Sequence, residues 1–523
     1  MKRSMPFEQI QPPAPGSLAV TKSKGTTPTE QYLVKLAEHT FLNMWSYPNL
    51  WRDQRANGAI HGDGKELCDL LVSFDEHVII FSVKYVVFKP HQNPGVSWNR
   101  WYKQAIKESA DQVFGAEGWI RQFAERIFLD SRCSVRLPVT LPHRDKLVIH
   151  RVVVALGASD ACRSYFGGDS GSLIIDPDII AEAHLVATNA DSEIYGNKDR
   201  GESDCMFRIG QIDPTRGYVH VLDDVSLDVL MSTLDTVHDF VDYLAAKERF
   251  VLSGRLIGAT GEEDLLAYYL KHTGPDGRHA FRLPNKRANI LINGGYWDDF
   301  QRNPQRLAQI EADKISYAWD KLIERFVFHA LNDSQYRATE RGATAAEPIV
   351  RFLAREPRLR RRMLADAILG VAERAQRLDG ALQARVIEPT LLNAPYYVFL
   401  ALKSRNNMSY EEYRETRHRI LEGYMAIVKA TRPAALDIVG IAFGVDDNSE
   451  DLLYFDGRNW SDDEQRAAEE LQRDTGFLKK TNCIKGFYKE YPAVDLVPSS
   501  KGNQRNTPCY CNSGLKFKRC HGR

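Results

Sequence analysis

Two apolar runs separated by an acidic dipeptide constrain this chain more than any other stretch. Lys65-Glu66-Leu67-Cys68-Asp69-Leu70-Leu71-Val72-Ser73-Phe74 is followed by Asp75-Glu76, then by His77-Val78-Ile79-Ile80-Phe81-Ser82-Val83-Lys84-Tyr85. The pattern predicts two strands joined by a short turn. Side chains two apart on a strand share a face, so Ser82 and Lys84 lie with Val78, Ile80 and Val86. Asp69 on one strand and Lys84 on the next are charges inside apolar runs. Such groups need a partner, a metal or a substrate charge.

The flanking sequence extends this hairpin into a larger unit. Thr27-Pro28-Thr29-Glu30 reads as a helix start, with Thr27 as N-cap, Pro28 at the first helical position and Glu30 closing a capping box. Leu33, Leu36, Ala37, Phe41, Met44 and Trp45 follow at helical spacing, and Pro48-Asn49 ends the run. Leu50 to Arg55 is the next strand candidate. After the hairpin, Ser97 is the expected cap of a long helix whose stripe is Trp98, Trp101, Ala105, Val113, Ala116, Ile120 and Phe123. Leu147 to Leu156 reads as a buried strand. The expected order is helix, strand, strand, strand, helix, strand.

The rest of the chain alternates in character. The expected organisation is a flexible tail over 1–26, a first domain over 27–158, a β-rich extension over 159–222 and a helical region over 223–380. An α/β region over 381–493, a linker over 494–506 and a cysteine-bearing tail over 507–523 complete it. The fold class is therefore α/β and α+β, multidomain. A chain of 523 residues exceeds what one core supports, in keeping with two to four domains.

Composition excludes little. Lys plus Arg and Asp plus Glu both number 69, so any basic surface for nucleic acid has to be local. Cys68, Cys133, Cys162, Cys205 and Cys483 are scattered, as buried thiols of a reducing compartment are. No apolar leader opens the chain and no run approaches membrane-spanning length. The expectation is a cytoplasmic protein with no membrane contact. Oligomeric state is not legible.

Residues 27–158 resemble the restriction-endonuclease-like nucleases, the PD-(D/E)xK superfamily, in element order and in Asp69 followed by Ser82-Val83-Lys84 on the next strand. The resemblance implies a hydrolase of phosphodiester bonds, DNA first, of a kind that suits antiviral defence. It implies Asp69 as a carboxylate ligand of Mg²⁺ or Mn²⁺, Lys84 as the catalytic lysine and Glu30 as the acid some members place on the first helix. The chain departs from the pattern at Ser82, where an acid or Gln is usual, and Glu66 is the nearby carboxylate that could take that place. Alternatively Glu30 is only a capping residue, and Asp69 and Lys84 only a structural ion pair.

The C-terminal stretch Asn506-Thr507-Pro508-Cys509-Tyr510-Cys511-Asn512-Ser513-Gly514-Leu515-Lys516-Phe517-Lys518-Arg519-Cys520-His521 is similar to the SEC-C motif, named for the tail of the SecA translocation ATPase. Three thiolates and an imidazole, Cys509, Cys511, Cys520 and His521, make a closed tetrahedral Zn²⁺ set. So short a segment cannot bury a core, so the ion has to supply its folding energy. In that family the module contacts proteins, the ribosome or nucleic acid. Lys516, Lys518, Arg519 and Arg523 beside Tyr510 and Phe517 suit such a partner. No Gly-x-x-x-x-Gly-Lys-[Ser/Thr] phosphate loop accompanies it, so the tail does not make the chain a SecA.

Two further signals carry less. Gly168-Asp169-Ser170-Gly171 matches the nucleophile motif of chymotrypsin-like proteases, but no histidine stands in a matching context. Arg351, Arg355, Arg358, Arg360, Arg361 and Arg362 read either as a phosphate grip or as a solvated helix face.

Overall fold

A computed structural model of the chain describes residues 19–54, 64–168, 170–186, 205–274, 278–283, 285, 287–377, 382–390, 394–404, 408–445, 447, 449–479, 488–494, 516 and 519. Among these residues the chain forms two compact units, Val20–Leu307 and Ala308–Val494. Both mix helices with sheet. No described helix is long and apolar enough to cross a membrane.

The first unit opens with helix α1 (Pro28–Trp45), started by Thr27, whose hydroxyl accepts the Glu30 N–H. Strands β1 (Ser46–Arg52), β2 (Lys65–Phe74) and β3 (His77–Tyr85) follow as an antiparallel meander. The chain then runs through helix α2 (Pro94–Trp101), a π-helical turn over Tyr102–Lys107 and helix α3 (Glu108–Phe123). The two-residue strand β4 (Ile127–Phe128) pairs β1 at the sheet edge. Strand β5 (Val148–Leu156) lies parallel to β3. The expected order of helix, three strands, helix and strand is present over this stretch.

Several local expectations were wrong. Sheet begins directly after Trp45, so Pro48 and Asn49 lie inside β1 and do not end the helix. Asn93 caps α2, with Pro94 at the first helical position, while Ser97 sits inside the helix and donates to the Lys89 carbonyl at 2.7 Å. The π turn breaks the helix that the apolar stripe predicted to be continuous. It adds a residue to the turn and shifts the faces of α3 relative to α2.

Helix α4 (Ser159–Phe166), strands β6 (Ile174–Ile180) and β7 (Arg208–Gln211) and strand β8 (His220–Leu222) follow. The run from Val225 to Phe250 divides into α5 (Ser226–Thr233) and α6 (Val237–Leu252), because Thr236 leaves the helical region and caps α6. Strand β9 (Leu256–Ala259), helix α7 (Glu262–Lys271) and strand β10 (Ile290–Ile292) complete the sheets of this unit. Its main sheet has the order β4-β1-β2-β3-β5-β8, and its smaller sheet the order β10-β9-β6-β7. Phe41 of α1 and Phe240 of α6 pack edge to face at 5.0 Å, and Phe41 packs on Phe81 of β3. Val113, Phe114 and Ile120 of α3 join Val78, Ile80 and Val153 in the core on the other face. With both faces covered, the sheet reads as near-continuous apolar runs.

The second unit holds a four-stranded sheet of order β11 (Leu382–Ile387), β12 (Tyr396–Leu402), β13 (Asp437–Gly444) and β14 (Glu450–Asp456). β12 and β13 are parallel, and the helix over Tyr410–Thr431, capped by a Ser409/Glu412 box, connects them. Helices over Tyr317–Leu331, Ala343–Ala354, Arg358–Arg377 and Asp462–Thr475 belong to the same unit.

Candidate functional site

Asp69 stands where the β2–β3 ladder ends. Its Oδ2 accepts the Val83 N–H at 2.6 Å, just past the Leu70–Phe81 pair. Since Leu71 pairs Ile80, the alternation of the strands puts Asp69 and Ser82 on one face. The Ser82 hydroxyl donates at 2.8 Å to Oε1 of Gln112 on α3. One helical turn earlier on α3, Glu108 accepts from Lys84 Nζ at 2.7 Å. Lys84 is one-third exposed and Glu108 more so. Lys84 thus pairs with Glu108 and not with Asp69, the partner that the alternative reading of the two residues gave it. The spacing of Ser82 and Lys84, two apart on a strand, matches that of Glu108 and Gln112, four apart on a helix.

Asn49 gathers the other carboxylates. It lies in β1 between the Pro48–Leu70 and Leu50–Cys68 pairs, level with Asp69. Its φ of +48° is one that asparagine tolerates better than most side chains. The Asn49 amide donates to Glu30 Oε2 at 2.9 Å and to Glu66 Oε1 at 3.4 Å. Glu30 also accepts the Thr26 N–H at 2.8 Å, in place of the Thr27 N–H that the expected capping box requires, and faces Asn49 at once. Glu30, Glu66, Asp69, Ser82 and Lys84 thus belong to one end of the sheet.

Charge is unevenly distributed there. Burial, reinforced by the Glu66 and Glu30 charges and opposed by the Val83 N–H, raises Asp69 to about 7. Burial and the Glu30 charge raise Glu66, with Asn49 pulling the other way. Burial also acts on Glu30, but hydrogen bonds from Thr26, Asn49 and Thr27 outweigh it and hold the carboxyl below its ordinary value. The three carboxylates do not draw together as a set within 4.8 Å. Among the described residues, the His/Cys/Asp/Glu group that does is His150, His220 and Glu248.

Sequence reasoning missed Asn49, Glu108 and Gln112. A polar residue in a short strand and two polar residues on a helix carry no periodic signal that sets them apart. Cys509, Cys511, Cys520 and His521 lie outside the described residues.

Four arginines of the cluster, Arg358, Arg360, Arg361 and Arg362, turn inward to protein partners, whereas Arg355 is exposed and Arg351 pairs Glu347 on the same helix. Arg361, 1% exposed, donates to Asp320 Oδ1 at 2.7 Å and to the Glu356 and Ala354 carbonyls. Arg358 takes the other Asp320 oxygen at 2.6 Å, and Arg362 pairs Asp313 at 3.2 Å. The second unit also has a groove of about 1930 Å³, where Arg414 is paired with Asp451 and Arg325 with Glu450. Ser170, of the protease-like motif, donates to Glu263 at 3.1 Å.

Comparison with known families adds one match. Residues 505–523 match the SEC-C motif. The match covers the tail alone. No curated protein and no solved structure matches the chain significantly.

Proposed function

We propose that the Val20–Leu307 unit is a metal-dependent nuclease of the restriction-endonuclease-like kind, acting on phosphodiester bonds of DNA, and that the SEC-C tail is its zinc-stabilised targeting module. One observation carries the reading. Asp69 is a buried carboxylate with two further carboxylates near it, no cationic side chain against it among the described residues, and a lysine on the adjoining strand. A buried carboxylate left uncompensated is costly. The donor set is all oxygen, which suits Mg²⁺ or Mn²⁺ held by one or two carboxylates with waters completing the shell. Asp69 and Glu66 would hold the ion, with Glu30 oriented by Asn49 beside them. The ion, when bound, supplies charge neutralisation and a lowered water pKa.

The chain's own residues do the rest. Lys84, held by Glu108, would present its side chain at the carboxylate end of the sheet, where charge develops on a phosphate oxygen. Ser82 supplies no charge, and Glu108 is the carboxylate closest to Lys84 in its stead. Cys509, Cys511, Cys520 and His521 would hold Zn²⁺ as a closed set, leaving the tail's basic residues for nucleic acid, the ribosome or a protein partner. A second reading, a catalytically silent binding protein that docks through the tail, is favoured by Ser82 and by the neutralisation of Lys84 by Glu108.

The test is cleavage of plasmid and single-stranded DNA by the full chain with Mg²⁺ or Mn²⁺. Asp69→Ala and Lys84→Ala are each expected to lower the rate by at least about 100-fold. Equal rates in the wild type and both variants remove the assignment. Absence of cleavage with tail-dependent nucleic-acid or ribosome binding selects the second reading.

A further inference from the structure

On the opposite face of the main sheet, β5, β8 and α6 bring three ligand-type side chains together. Ser82 pairs Val153, so His150, three residues earlier on β5, points to the other side. His220 of β8 is at the register position beside Val152. Glu248 comes from α6, half-buried. One nitrogen from each histidine and one Glu248 oxygen all lie within 4.8 Å of one another.

Three of the four histidine nitrogens of this cluster are unmatched. His220 is fully buried and His150 is 2% exposed. Neither ring nitrogen of His220 has a hydrogen-bond partner, nor does His150 Nδ1. Buried polar groups left in this way are costly, and native interiors avoid them. The other nitrogen of His150 is occupied: His77 of β3 stacks on the ring and places its Nδ1 3.0 Å from His150 Nε2. That contact engages Nε2 and leaves Nδ1 as the His150 nitrogen without a partner. Of the nearby cations, Lys247 pairs with Glu262 and Arg151 with Glu117, while the Arg151 and Arg249 charges also act on Glu248. Burial pushes both imidazoles below their ordinary range.

We propose that His150, His220 and Glu248 form a binding site for a divalent transition-metal ion of the Zn²⁺ class, distinct from both the acid cluster and the C-terminal thiolates. Two imidazoles and a carboxylate select such an ion over Mg²⁺, which takes oxygen. Bonds of about 2.0–2.2 Å require the three side chains to close inward on the ion. Three protein ligands leave a fourth position for water, as in sites that keep an exchangeable ligand. The ion ties β8, an edge strand three residues long, to β5 and α6.

The test uses the full chain carrying Cys509→Ser, Cys511→Ser and Asp69→Asn, which removes tail and acid-cluster binding. The stripped protein is titrated with Co²⁺ and followed by visible absorption. One Co²⁺ per chain is expected, with ligand-field bands and no thiolate charge-transfer band. Adding Glu248→Gln or His150→Gln lowers affinity at least about tenfold. Because Glu248 is solvent-reachable, Glu248→Gln decides if the histidine variant does not fold. No Co²⁺ bound, or unchanged affinity in a folded Glu248→Gln variant, overturns the proposal.

Discussion

Asp69 makes the acid cluster measurable. Its carboxyl titrates near 7 in the folded chain, against about 3.9 when unfolded. The folded state therefore binds the extra proton between these values. Its stabilising contribution is complete below about pH 4 and is lost as pH rises through 7. Asp69→Asn is expected to match the wild type near pH 4 and to exceed it at pH 8, by at most about 4 kcal/mol. Urea unfolding at the two pH values checks this, and a variant that is less stable at pH 8 contradicts it. A cation bound at Asp69 reverses the burial effect, so affinity for Mg²⁺ is expected to rise with pH through the same window. Asp69 and Lys84 were legible because each interrupts an apolar run. Asn49, Glu108 and Gln112 were not, because only the tertiary fold gives those polar residues a partner.

Elements in this chain are positioned by buried charge as well as by apolar packing. Glu262 opens α7 at 3% exposure, bonded to Lys247 and, at 2.6 Å, to the Tyr243 hydroxyl, both of α6. Lys247→Met leaves that carboxylate buried with one neutral partner and is expected to cost about 3–5 kcal/mol. Adding Glu262→Gln, which keeps an acceptor for Tyr243, is expected to restore most of it. Denaturant unfolding of the single and double variants reads both effects, and a single-variant cost under about 1 kcal/mol would mean the pair is effectively solvated. Helix and strand identity followed the apolar periodicity closely at Pro28–Trp45 and Val148–Leu156. Boundaries failed where one residue's backbone decided them, as at the Asn93 cap and the Thr236 break. Arg358, Arg360, Arg361 and Arg362 were misread because a charged residue reads as exposed until its buried partner is known.

The whole molecule has a separate core in each of its two units. Calorimetric unfolding is therefore expected to exceed a single two-state transition, with a calorimetric enthalpy greater than the van't Hoff value. Zn²⁺ added to the stripped chain is expected to raise the transition of the unit that holds His150, His220 and Glu248 and to leave the other in place. One cooperative transition, moved as a whole by metal, would contradict both statements.

By itself the sequence determined what depends on near neighbours. Strand alternation placed the hairpin, helical spacing placed the flanking helices, and Cys509, Cys511, Cys520 and His521 stand close enough in the chain to be read as one ligand set. Only the tertiary structure decided what depends on residues far apart. Asn49 bridges Glu30 and Glu66, Lys84 is held by Glu108, and His77, His150, His220 and Glu248 meet from three strands and a helix. Hydrogen bonds and burial act over a few ångströms of space, whereas the periodicities of a sequence report only one element at a time.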